Sequence, residues 1–308
     1  MAANRFAVLV LGHGEMGRSM ERLLGARHDL TIWERDLRDW TENLPLEQAA
    51  ADMDFVLFTL PASPHRELGS RLRDHLGEGT LCASIAKGLD EQGDTPAAVL
   101  AETLGPRHPF AMLYGPMIAE ELRAGRAGFA ELGTPDPAVF LAFKRLFAGT
   151  RLYLRQCTDV AGLSWGVILK NVYVPLLGAA DELQLGDNAR GYLLATAARE
   201  IGAIIDYMGG DPQTAWGVGT LGDLVTTATS AGSHHRELGR ALARGETTGV
   251  SGEGIHTLAM IDRHGLLRLD DFPLLQLVHD MVNHPRDIES KFERFLQRAF
   301  GSVVTEPS

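Results

Sequence analysis

The clearest chemical demands in this sequence come from three glycines near its start and one lysine beyond its middle. Gly12, Gly14 and Gly17 stand in the run Gly12-His13-Gly14-Glu15-Met16-Gly17, a GxGxxG pattern. After a strand and at the opening of a helix, such a run suits a dinucleotide pyrophosphate. The first glycine makes the tight turn, the second lets backbone approach the phosphates, and the third lets helix lie against strand. Free N–H groups at the helix start then meet the negative charge. Lys170 interrupts the apolar stretch 165–177, in which only Asn171 is comparably polar. Burying two such groups is costly unless they serve a purpose, and desolvation lowers a lysine's pKa towards the range where it trades protons. About twenty residues after the glycines, Glu34 and Arg35 close a second apolar run. Glu34 suits a ribose 2'-hydroxyl and opposes a 2'-phosphate, whereas Arg35 suits that phosphate or stacks on adenine. The cofactor is therefore NAD or NADP, with a lean to NAD.

These residues need a frame. Over 6–154, the β-type runs FAVLVL, LTIW, DFVLFTL, LCASI, FAMLY, GFAEL and RLYL alternate with helical stretches. That alternation predicts an α/β, mostly parallel, doubly wound sheet of Rossmann type, and several runs lack a period of two because helices cover both faces. After Cys157 the β-type runs nearly vanish, so a second, all-α domain is expected. The division falls into a dinucleotide-binding domain over 1–156 and a helical substrate and catalytic domain over 157–308. Thr158 or Asp159 caps a long helix running through Lys170 towards Leu183, and Asn188 caps another ending near Gly209-Gly210. Further helices are expected over 214–229, 234–243, 254–264, 272–282 and 287–300, with fraying in the closing SVVTEPS.

LKNVY at 169–173 and LGDLVTTATS at 221–230 resemble bacterial and archaeal NAD(P)-dependent glycerol-3-phosphate dehydrogenases. So, in order, do GHGEMG, TLPASPHR, AKGLD at 86–90, YGPMIAEEL at 114–122, LGDNAR at 185–190 and GEG at 252–254. The resemblance covers nearly the whole chain. It implies a helical C-terminal domain like that of 6-phosphogluconate dehydrogenase, and Lys170 as the catalytic acid/base with Asn171 and Asp223 around it. Lys87 is implied to lie beside nicotinamide and substrate. Glu15, Met16, Ala119 and Glu253 join the glycines and Glu34 and Arg35 as implied cofactor contacts. Gly115, Thr227, Ser233, His234 and His235 join the two lysines and Asp223 around substrate. The chemistry agrees: hydride reduction of a ketone leaves a developing alkoxide that must be stabilised and protonated, and two neighbouring lysines lower each other's pKa. Thr227, one helical turn after Asp223, offers a hydroxyl on the same face. Asp223 is read either as a helix cap or as an orienter of lysine. Gly115-Pro116 is either a structural turn or the start of a short helix whose N–H groups meet nicotinamide or substrate.

Departures from the family are specific. Where it has a serine-arginine-asparagine triplet gripping the substrate phosphate, this chain has Ser233, His234 and His235. Histidine is only partly charged near neutrality and lacks arginine's bidentate fork, so phosphate affinity is expected to drop unless Arg236 swings in. The histidines either face solvent or contact substrate. Contact would weaken binding as pH rises through the imidazole pKa. Met117 replaces a small or hydroxylated residue, and Glu15 sits uneasily beside a pyrophosphate unless it points to solvent. The stretch between His235 and Glu253 is shorter than usual, which would open one side of the nicotinamide pocket.

Composition limits the alternatives. With 308 residues, 45% of them hydrophobic, the chain is long enough for two cores. A net charge of -11 leaves no basic excess for nucleic acid. Two cysteines form no disulfide framework and, with the histidines, no metal-ligand pattern, and the N-terminal apolar run is far too short for an integral membrane segment. The expectation is a cytoplasmic, homodimeric oxidoreductase that converts dihydroxyacetone phosphate to sn-glycerol 3-phosphate. The competing readings are the same fold acting on a ketopantoate-like or hydroxyacid substrate, or a cofactor-binding protein without turnover.

Overall fold

The computed structural model describes residues 5–35, 44–230, 232–246 and 251–301. Its strands are β1 (Ala7–Leu11), β2 (Asp29–Trp33), β3 (Phe55–Phe58), β4 (Leu81–Ser84), β5 (Phe110–Tyr114), β6 (Gly128–Gly133) and β7 (Leu152–Cys157). Between them run α1 (Glu15–Leu24), α2 (Leu46–Ala50), α3 (His65–Leu72), α4 (Pro96–Leu104), α5 (Ala119–Arg123) and α6 (Pro137–Leu146). Among the described residues that follow, the elements are helices: α7 (Val160–Glu182), α8 (Gly186–Tyr207), α9 (Asp223–Thr229), α10 (His234–Ala243), α11 (Glu253–His264), α12 (Pro273–Asn283) and α13 (Ile288–Phe300).

All seven expected runs become strands of one sheet, ordered β2-β1-β3-β4-β5-β6-β7, and only β5 and β6 pair antiparallel. From β1 the chain moves out to β2, then crosses back to β3 on the other side of β1. That reversal opens a crevice at the carboxyl ends of β1 and β3, where open α/β sheets bind ligands. β1 reads AVLVL without alternation because both faces are covered. Val8 and Val10 join one core with Phe55, Leu57 and Phe143, while Leu9 and Leu11 join another with Val56, Phe58 and the apolar length of α7.

α7 forms because Asp159, rather than Thr158, caps it, Oδ1 accepting the Gly162 N–H at 2.8 Å. Oδ2 also accepts the Asp211 N–H and the Thr214 hydroxyl, tying a distant loop to the same carboxylate. α7 is long and apolar enough to cross a membrane, yet 89% of its apolar window is enclosed by protein, as befits a core helix. Two expectations are corrected. α8 begins at Gly186, so Asn188 lies in its first turn and does not cap it. The stretch 214–229 is three pieces: a 3-10 turn (Pro212–Trp216), a π turn (Val218–Gly222) and α9. The closing SVVTEPS lies outside the described residues.

Candidate active site

The glycine loop follows β1 and has the three properties its sequence promises. Gly12 has φ +90°, and a Cβ there would lie 2.4 Å from Leu60, in the loop after β3. A Cβ on Gly17 would strike the Gly12 carbonyl oxygen at 2.1 Å, so α1 can lie against the loop only without one. Gly14 faces open space, the room a pyrophosphate would need beside the N-terminus of α1. Thr59 secures the turn by donating to the carbonyls of Leu11 and Gly12. Glu34, at the end of β2, accepts the His13 N–H at 3.0 Å and so braces the loop. Arg35 instead pairs with Glu67 on α3. Glu15 turns outward, as its charge requires, and is held by Arg18 and Arg123. Met16 packs against the core under α1, and the Ala119 carbonyl accepts the Ser19 hydroxyl at 3.0 Å, fixing α5 to α1.

The lysines meet at the same end of the sheet. Lys87 follows β4, Lys170 lies mid-way along α7, and Asp223 opens α9. The Lys87 ammonium donates to Asp223 Oδ2 at 2.7 Å, and Lys170 Nζ lies 3.1 Å from the same oxygen. Lys170 also donates to the Thr227 hydroxyl at 2.7 Å, whose own O–H donates a hydrogen bond to the Asp223 backbone carbonyl. Asp223 makes no cap hydrogen bond, so its carboxylate serves the lysines. Lys170 and Asp223 side chains are 5% and 6% exposed, and Lys87 is 21% exposed, which makes Lys87 the more open of the pair. Burial lowers Lys170 to about 8, with Asp223 opposing and Lys87 assisting the shift. Burial alone would raise Asp223, but the two ammonium groups outweigh it and hold the carboxyl below its ordinary value.

Asn171 and Glu253 complete this side. Pro175 has no N–H to bond back to the Asn171 carbonyl. Gly254 lies against that carbonyl so closely that a Cβ would come within 2.4 Å. The contact sets Glu253 where Asn171 Nδ2 donates to it at 3.2 Å, and the same amide reaches the Lys87 carbonyl at 3.4 Å. Burial raises the Glu253 pKa against the pull of Lys87 and Lys170. Asn171 Oδ1 is buried with no partner among the described residues, an acceptor left for a ligand.

Several expectations change here. Gly115-Pro116 is a turn: α5 starts only at Ala119, and Gly115, at φ +152°, packs so closely on Phe129 and Ala130 that a Cβ would clash with their backbone. Met117 is buried. Ser233 caps α10 by accepting the Arg236 N–H. Arg236 does not turn towards the substrate, because its guanidinium is bound to Asp181 at 2.6 Å beside Arg190. His234 is exposed and His235 half-buried. Burial, then the charges of Lys170 and Lys87, push His235 down to about 4. It is therefore neutral near pH 7, so a substrate contact from His235 would not titrate in that range. The short stretch before Glu253 includes 247–250, outside the described residues.

Other participants were not foreseen. Tyr114, fully buried, donates to the Ala86 carbonyl at 2.7 Å. Glu131 on β6 accepts the Gly219 N–H at 2.8 Å, pinning the π turn that delivers Asp223. One cue was open to counting. The chain has four lysines among twenty-nine lysine and arginine residues, and two of the four share Asp223. Arginine keeps its proton at any working pH, so lysine belongs where one must leave.

A glycine loop at the sheet's switch point, with a buried lysine and a more open one sharing a carboxylate at the same end of the sheet, is the architecture of a dinucleotide-dependent dehydrogenase of the Rossmann type with a helical C-terminal region. A family model for the NAD-dependent glycerol-3-phosphate dehydrogenase N-terminus matches residues 39–137, and one for the C-terminus matches 159–293. The chain is 32% identical over 298 residues to the NAD(P)+ glycerol-3-phosphate dehydrogenase of Deinococcus radiodurans, covering 88% of this chain and 89% of that protein. It is 29% identical to the Agrobacterium fabrum enzyme of the same name, over 96% of this chain and 98% of that one. It belongs to the NAD-dependent glycerol-3-phosphate dehydrogenase family. The fold matches the crystal structure of the Coxiella burnetii glycerol-3-phosphate dehydrogenase with a TM-score of 0.82 at 22% identity, covering 96% and 99% of the chains. A ketopantoate reductase from Ralstonia eutropha matches less well, at 0.56 and 18% identity over 93% of this chain and 99% of that one. The ketopantoate-like alternative gains no support from it.

Proposed function

We propose that this protein reversibly reduces dihydroxyacetone phosphate to sn-glycerol 3-phosphate with NADH or NADPH, using Lys170 as general acid and, in reverse, general base. The observation that carries this is the Lys170 ammonium, enclosed against Asp223 and Thr227 at the end of the sheet that bears the glycine loop. Gly12, Gly14 and Gly17 would hold the pyrophosphate, Glu34 the ribose, and Glu253 with Ala119 the nicotinamide side. A bound reduced nicotinamide supplies the hydride.

Lys170 hydrogen-bonds the substrate carbonyl and gives up one Nζ proton as negative charge grows on that oxygen. Asp223 and Thr227 aim the ammonium, and Asp223 steadies the positive charge of the pair. Lys87, the more exposed of the two, faces the substrate's anionic end. Ser233, His234 and His235 offer the α10 N-terminus and two imidazoles to the phosphate, a weaker grip than arginine gives. Gly115 keeps the β5 turn close, and Asn171 holds Glu253 and the Lys87 backbone. The division of labour follows 1–156 for cofactor and 157–308 for substrate. The working form is a homodimer in the cytoplasm.

Initial rates of NADH and NADPH oxidation with dihydroxyacetone phosphate and with non-phosphorylated analogues test this reading. Turnover with the phosphorylated ketone is expected, and turnover only with a different ketone would overturn it. The ratio of the two cofactor rates reports whether Glu34 outweighs Arg35.

A further inference from the structure

His65 is fully enclosed at the start of α3, stacked on Phe58 with ring centroids 5.1 Å apart, and it serves no part of the chemistry above. Its Nε2 lies 2.7 Å from the Ser84 hydroxyl at the end of β4. That oxygen in turn accepts the Ala86 N–H at 3.1 Å. Ala86 is gripped on its other side by Tyr114, and the next residue is Lys87, whose carbonyl is held by Asn171. The backbone of Ala86 and Lys87 is thus fixed by groups from α3, β4, β5 and α7. Burial pushes the His65 imidazole down to about 4, so it stays a neutral hydrogen-bonding ring.

We infer that His65 and Ser84 are positioning residues: through the Ala86 amide they set the backbone from which Lys87 reaches Asp223. The geometry favours this over simple core filling. Phenylalanine would fill the same space against Phe58, yet the site uses a histidine whose Nε2 meets the hydroxyl next to the lysine loop. A buried imidazole costs stability unless its hydrogen bond is made. The ring also ends the loop 59–65, whose first residue, Thr59, binds the glycine turn. The hydrogen-bonded frame that seats the cofactor loop therefore also sets the lysine.

The role at substrate rests on the dehydrogenase reading, but the positioning has its own readout. The chain has four lysines, and Lys144 is exposed on α6, an internal standard for amine acylation followed by peptide mass spectrometry. His65→Phe and Ser84→Ala are expected to raise Lys87 acylation relative to Lys144 several-fold. His65→Gln, which keeps a polar group near the Nε2 position, should restore much of the native value. In turnover, both variants should raise KM for dihydroxyacetone phosphate about tenfold with cofactor Kd within about twofold, since small misplacements of a reacting group carry penalties of this order. The double variant should be no worse than the poorer single one, because both act through one amide. Unchanged Lys87 labelling in the folded Ser84→Ala protein would overturn the inference, as would additive kinetic losses. If the wild type fails to turn over the ketone while labelling shifts as described, the functional reading fails and the positioning stands.

Discussion

Lys87 and Asp223, 136 residues apart in sequence, are joined by a 2.7 Å hydrogen bond that spans from the sheet's nucleotide end to the first turn of α9. The same oxygen receives Lys170. One carboxylate thus serves two ammonium groups, which keeps both in place while leaving a net positive charge where an alkoxide would form. Burial of Lys170, modulated by the charges of Asp223 and Lys87, sets the proton chemistry.

The pH dependence follows in sign from Lys170, whose pKa falls to about 8 through burial. Reduction needs the protonated lysine, so kcat/KM for the ketone should be flat below this value and fall as pH rises through about 8. Oxidation of the alcohol needs the neutral amine, and should rise through the same range. Steady-state rates in both directions check this, and parallel profiles would contradict it.

Asp223→Asn removes the negative charge that opposes the downward shift of Lys170. The alkaline limb of the reduction profile should then move lower by about one unit or more, with kcat at neutral pH reduced about tenfold or more. An unmoved limb would mean that the carboxylate does not govern the lysine.

His234→Arg returns a fixed cation to the N-terminus of α10. If this turn grips the phosphate, KM for dihydroxyacetone phosphate should fall about tenfold, the scale of one charge-assisted hydrogen bond. KM for a non-phosphorylated analogue should not change. Equal effects on both substrates would place His234 outside the phosphate site. His235, neutral near pH 7, should contribute no slope to KM between about pH 6 and 8.5, unlike a titrating imidazole.

Acid stability is set in part by His65 and His235, both depressed from 6.5 to about 4, chiefly by burial. Below the unfolded value of 6.5 the unfolded chain binds protons that the folded chain refuses, so stability must drop as pH falls towards about 4. Thermal melts should show Tm declining over this window. His65→Phe should flatten the decline, and an identical slope would contradict the assignment.

Much of this was readable in advance because it is local. The seven strands, the three glycines and the mid-helix Lys170 announce themselves through spacing and through a polar pair inside an apolar run. A cap at Thr158 or Asp159 is likewise legible locally, and the structure chooses Asp159. What spacing cannot show is which partner a side chain finds across the fold. Arg236 looks available in sequence, but Asp181, 55 residues away, has already claimed it. Tyr114, Glu131, Ser84 and His65 look like ordinary strand and loop residues, and only the pairing of β3, β4 and β5 in parallel, with β6 antiparallel beside β5, brings them around Ala86 and the π turn. The π turn itself was missed because Gly219, crowded by Glu131 and Leu163, answers to tertiary packing and not to helical periodicity.

The most direct test is the rate of the Lys170→Met protein with dihydroxyacetone phosphate under saturating cofactor. Methionine keeps the length and apolar contacts of the buried stem, and Lys87 still neutralises Asp223, so folding and cofactor affinity should persist. With the proton donor gone, kcat should fall about 1,000-fold, within the range for loss of a general acid. A variant that binds cofactor normally and retains turnover within about twofold of wild type would show that the proton comes from elsewhere.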